Sequence, residues 1–116
     1  MGLDSYIIAK IIPNEDEQIY NKLAGEEPKP MEILYWRKEW GVLEWFKDTL
    51  GVEIINCDEY ELSEDILRAL LRALESGELE YDEWHIENLT KDIKRLKLIL
   101  KNTDFSKTKF IFYNWW

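Results

Sequence analysis

Residues 32–46 read EILYWRKEWGVLEWF and hold three of the chain's six tryptophans, a tyrosine, a phenylalanine and an Arg-Lys pair in fifteen positions. Aromatic side chains bury the most area per residue, so a run this dense serves as the hub of a core, as a recognition surface, or as both on different faces. Trp36, Trp40, Leu43 and Leu50 recur at steps of four, three and seven, which predicts a helix over residues 34–50. Arg37, Glu44, Lys47 and Asp48 fall mainly off that face, while Val42, Trp45 and Phe46 widen it. Gly41 costs such a helix about 1 kcal/mol relative to alanine, and close approach of another backbone is the reason expected for it. Gly51 supplies the stop.

On the N-terminal side, SYIIAKII at residues 5–12 is rich in β-formers and is stopped by Pro13-Asn14, which predicts a buried first strand. Two helical turns are expected over residues 15–23, and Glu26-Glu27-Pro28-Lys29-Pro30 is a loop. On the C-terminal side, short strands are expected at residues 52–56 and 60–62. Ser63 then caps a helix over residues 64–76, with Glu64 and Asp65 in its first turn, Gly77 past its end, and Ile66, Leu67, Leu70, Leu71 and Leu74 on its buried face. Asp82 caps a long helix reaching Asn102, in which Ile86, Leu89, Ile93, Leu96 and Leu100 form a narrow stripe. Lys91, Lys94, Arg95, Lys97 and Lys101 fall on the other side of that wheel, with Leu98 among them. TKFIFYNWW at residues 108–116 is the closing strand. Strands at both ends with helices between them predict a single α+β domain over residues 1–116, a sheet of about three strands packed against two or three helices.

The formal net charge of -9 disfavours direct binding to nucleic acid. Its distribution says more. Residues 59–87 hold ten acids against two bases, and residues 88–116 hold two acids against seven bases. Such a division suits a protein partner with complementary patches. Neither a membrane-length apolar run nor a secretory signal is evident, so the expectation is a soluble, cytoplasmic protein. One cysteine, Cys57, excludes an intrachain disulfide, and with His85 as the only histidine no zinc-type ligand set is expected.

Cys57 and His85 are the one pair that would supply a nucleophile and a base, but neither lies in a recognisable elbow, and no catalytic residue is assigned. Carboxylates gather before two helices, at Glu59, Glu61, Glu64 and Asp65 and again at Glu78, Glu80, Asp82, Glu83 and Glu87. Helix-start bias and solvation account for most such runs. No calcium loop and no glycine-rich phosphate loop are present, and no cofactor is expected. A nucleotide stacked on Trp36, Trp40 or Trp45, with Arg37 and Lys38 at its phosphates, is the small-ligand alternative.

Several motifs occur in a recognisable order: Met1-Gly2-Leu3-Asp4-Ser5-Tyr6, Tyr35-Trp36-Arg37-Lys38 followed by Trp45-Phe46, Cys57-Asp58-Glu59-Tyr60, Tyr81-Asp82-Glu83-Trp84, and a Trp-ended last strand. Together they resemble small uncharacterised proteins of phages and prophages. Members of that family often carry a histidine two residues before the Trp-Phe pair, where this chain has Leu43, and a longer segment before Tyr-Asp-Glu. The resemblance implies no activity. By analogy of class it implies an inhibitor of host machinery, including anti-CRISPR and other anti-defence proteins. The expected function is therefore a non-enzymatic acidic binding protein acting on a host protein, namely a nucleic-acid-binding defence effector. Its binding residues are the two carboxylate groups named above with Trp36, Arg37, Lys38 and Trp40. A small hydrolase is the third reading. Leu98 and Trp115-Trp116 are the residues on which a homodimer contact would form.

Overall fold

The computed structural model describes residues 2–12 and 31–116. The helix expected at residues 15–23 and the loop at residues 26–30 lie outside them.

Residues 32–46 do not form one helix. They split into strand β2, Met31–Arg37, and helix α1, Trp40–Leu50. Along β2 the side chains alternate, with Leu34 and Trp36 buried and Tyr35 and Arg37 exposed, the period of two that a strand on a core requires. Lys38 breaks the strand. It takes a left-handed conformation (φ 57), and its N–H donates to the Leu3 carbonyl at 2.6 Å. Trp36 and Trp40, assigned to one helical face by their spacing, consequently part: Trp36 is 3% exposed and Trp40 52%.

The first strand is β1, Asp4–Ile11, and the last is β4, Thr108–Trp115. With β3, Glu59–Leu62, they make a four-stranded antiparallel sheet in the order β2-β1-β4-β3. The fold is thus α+β, with four strands where the sequence suggests about three, and β2 lies inside the stretch read as helix. The run at residues 52–56 is not a strand. Val52 and Ile55 are exposed, and the Tyr60 hydroxyl accepts the Ile55 N–H (2.7 Å) and donates to the Glu53 carbonyl (3.1 Å), so a side chain satisfies groups that a partner strand would otherwise take.

One face of the sheet carries the core. Ile7, Leu34, Trp36, Leu62, Phe110 and Phe112 join buried residues of the helices in one cluster. Helix α1 is set into it by Phe46, whose ring stacks on Phe112 with centroids 3.8 Å apart and meets the edge of Trp45 at 5.0 Å. Helix α2, Glu64–Ser76, begins and ends where the sequence indicates. Ser63 Oγ accepts the Ile66 N–H at 3.3 Å, and Gly77 closes the helix at φ 81, a left-handed geometry that glycine adopts without strain. Gly51 ends α1 in the same way.

Helix α3, Ile86–Asn102, starts later than expected. Asp82 does not cap it through its side chain; residues Glu83–His85 form a 3-10 turn first, with the His85 N–H donating to the Asp82 carbonyl. Leu96 and Leu100 hold the buried stripe, whereas Ile86 is exposed. None of the described helices is long and apolar enough to cross a membrane.

Candidate functional site

The start of α1 meets the acidic connection between α2 and α3, and the junction is built from a buried acid. Glu39 is 2% exposed. Its carboxylate accepts the Asp82 N–H at 3.3 Å from either oxygen and contacts His85 Nδ1 at 2.5 Å. A carboxylate oxygen only accepts, so the hydrogen of that contact sits on Nδ1. Two residues on, a Cβ placed on Gly41 would lie 3.7 Å from the Glu80 carbonyl oxygen. A neighbouring backbone does approach Gly41, though at ordinary contact distance. Trp40, which is exposed, thus follows in sequence the residue whose carboxylate is bonded to this segment.

Of the residues that the sequence singles out, Glu78, Glu80, Asp82 and Glu83 share this connection, Glu87 follows in the first turn of α3, and all five are exposed. Among the described residues none of the five has a salt bridge. The other carboxylates belong elsewhere. Glu59 and Glu61 sit on edge strand β3, paired with Lys10 at 3.3 Å and Lys109 at 3.5 Å. Glu64 bonds Arg68 at 2.9 Å in the first turn of α2, beside exposed Asp65. The thirteen residues of α2, about 20 Å of helix, separate these two groups. Arg37 and Lys38 are exposed at the turn between β2 and α1. Trp36 lies in the core, which closes it to a stacked nucleotide.

Cys57 and His85 have partners of their own. The thiol contacts Asn56 Oδ1 at 3.5 Å and lies beside Tyr113, whose hydroxyl pKa it raises. His85 is engaged by Glu39.

A second polar chain runs from the core to the surface. Trp36 Nε1–H donates to the Tyr81 hydroxyl at 2.7 Å, and that hydroxyl donates to Asp92 Oδ2 at 2.7 Å. Burial pushes the Tyr81 hydroxyl well above its usual range. Burial also raises the Asp92 carboxyl, against the opposing pull of the Tyr81 hydrogen bond and of Arg95. The sequence offers one signal for Asp92, its place as one of two acids among residues 88–116. It offers none for Glu39.

This chain sets up a measurable pH effect. Tyr81→Phe removes the acceptor of a buried indole N–H and should cost about 1–3 kcal/mol. It also removes a bond that lowers the Asp92 pKa, so Asp92 should titrate still higher. A folded pKa above the unfolded value stabilises below the unfolded pKa, and that contribution is lost as pH rises through the folded one. In Tyr81→Phe the loss should move to higher pH. Carboxyl NMR titration of Asp92 with denaturation curves from acid to neutral pH checks both parts, and an unmoved Asp92 would refute the coupling.

Comparison with protein-family models, with curated proteins and with solved structures finds no match for the chain.

Proposed function

We propose that this chain is a non-enzymatic binding protein that inhibits a host protein by laying its acidic α2–α3 connection on a basic surface of the target, with Trp40 as anchor. The carrying observation is Trp40, half exposed and adjacent to Glu39, whose buried carboxylate ties the start of α1 to the Asp82 N–H. Exposed tryptophans ringed by polar groups are the residues on which binding energy concentrates. Five carboxylates without salt-bridge partners among the described residues supply the complementary charge. A nucleic-acid channel is the basic surface that suits them, so the target class is a nucleic-acid-dependent defence effector. The phage setting, with inhibition of the anti-CRISPR kind, rests on the family resemblance alone.

The test is capture of partners from host lysate, followed by affinity measurements across a salt series. Affinity should fall steeply with salt, and Trp40→Ala should weaken binding by about 2 kcal/mol or more, roughly thirtyfold, with the fold intact. A partner bound equally well at low and high salt would overturn the acidic-surface reading.

A further inference from the structure

The opposite charge pole carries a site of different chemistry. Tyr35, Asn88, Lys91, Asp92, Lys94, Arg95 and Leu98 line a groove of about 520 Å³. It lies where α3 meets β2, an edge strand of the sheet. Small-molecule sites fall in this size range. In a chain of net charge -9, three of the groove's groups are cations and one is an acid. Lys10, Lys47, Arg68, Lys97 and Lys109 all have carboxylate partners, while among the described residues Lys91, Lys94 and Arg95 have no salt bridge. Like charges three and four residues apart on a helix repel, and an anion between them would relieve that repulsion.

The remaining lining groups narrow the ligand. Ile33 is the extra residue where the register of β1 and β2 shifts, and Arg95 Nη1 donates to its carbonyl at 3.0 Å. The guanidinium is thereby positioned with other donors to spare. Tyr35 spends its hydroxyl on Asp4 Oδ1 at 2.6 Å, and Tyr6 packs beside it with centroids 5.0 Å apart. That bond pushes the Tyr35 hydroxyl up to about 12, and Tyr35, 43% exposed, lines the groove at its β2 edge. Asp92 has Oδ2 occupied by Tyr81, which leaves Oδ1 to accept a donor. Inorganic phosphate would answer the cations but leave the ring and Asp92 without a role. A neutral aromatic compound would leave the cations unanswered.

We propose that this groove binds a nucleoside phosphate, with the phosphate at Lys91, Lys94 and Arg95, the base against the Tyr35 ring, and a nucleoside hydrogen-bond donor at Asp92. The site shares no residue with the Trp40 surface and stands independently of the function proposed above.

The experiment titrates the full chain at low ionic strength with ADP, GDP, CDP and UDP, and with adenosine and inorganic pyrophosphate, by calorimetry and amide NMR. At least one diphosphate should bind, with shifts centred on Tyr35 and residues 88–98, and about tenfold more tightly than pyrophosphate or adenosine. Lys91→Glu with Lys94→Glu should weaken it about tenfold or more. Tyr35→Leu should weaken it about tenfold, the size of a base–aromatic contact, and leave pyrophosphate unchanged. These lysines are exposed and Tyr35 is at the surface; thermal melts confirm that the variants fold. Absence of binding by all four diphosphates at millimolar concentration would overturn the proposal. So would equal affinity for pyrophosphate, or shifts centred elsewhere.

Discussion

Replacing Phe46 with alanine should cost the fold about 3–5 kcal/mol, the range for removing a fully buried aromatic ring. Phe46 is completely buried, stacks on equally buried Phe112, and touches Trp36 and Trp45. The cavity would open where α1, β2 and β4 converge, and the rings around it are too rigid to refill it. For a domain of this size the loss corresponds to a fall in melting temperature of roughly 12–20 °C. Trp40→Ala, six residues away, removes a larger side chain but an exposed one, and should change stability by less than about 1 kcal/mol. Urea denaturation of both variants reads the contrast. A Phe46→Ala loss no larger than that of Trp40→Ala would mean that α1 is not seated on the sheet as described.

Glu39→Leu is expected to have the next largest effect, a loss of about 2–4 kcal/mol. Leucine fills similar space but accepts nothing, so the Asp82 N–H and the His85 Nδ1–H both lose their partner. Helix α1 itself should start normally, because the Glu39 side chain makes no capping bond and only its backbone carbonyl receives the first helical N–H groups. The variant thus isolates the junction between α1 and the acidic connection. Glu39→Gln keeps one acceptor and should lose about half as much. Denaturation gives the energies, and hydrogen exchange at Asp82 reports the freed amide. Protection at Asp82 unchanged in Glu39→Leu would show that the contact does not hold the segment.

Residues 64–76 are legible from sequence because independent signals coincide there: a serine cap, acids in the first turn, leucines at helical spacing and a terminal glycine. Residues 32–46 are not, and the reason is physical. The alternation from Leu34 to Arg37 runs only four residues, and Trp36 to Trp40 imitates a helical step across it. The turn between strand and helix falls on Lys38, with no glycine, proline or asparagine to mark it. What imposes the turn is remote, the Leu3 carbonyl that takes the Lys38 N–H. The second β-rich run, at residues 52–56, has strand composition but finds a tyrosine hydroxyl instead of a partner strand. The acidic and basic poles are readable as charge, yet the groups that shape them are not. Glu39 reads as one more surface glutamate among 24 acids, and the groove needs Tyr35 from a strand beside a helix more than fifty residues later.

The sheet's centre also constrains how the protein is made. Strands β1 and β4 pair along their whole length, Asp4 opposite Trp115 and Ile11 opposite Thr108. A ribosome releases the chain from its N-terminus, so β1 emerges well before β4 and waits through the synthesis of about a hundred residues for its central partner. In that interval Ile7 and Ile8 have only β2 to lean on, and the nascent chain offers an unpaired strand edge of the kind that recruits other chains. Completion of the sheet is therefore an event that follows translation of the last strand, and yield in the cell should depend on how quickly that final pairing closes.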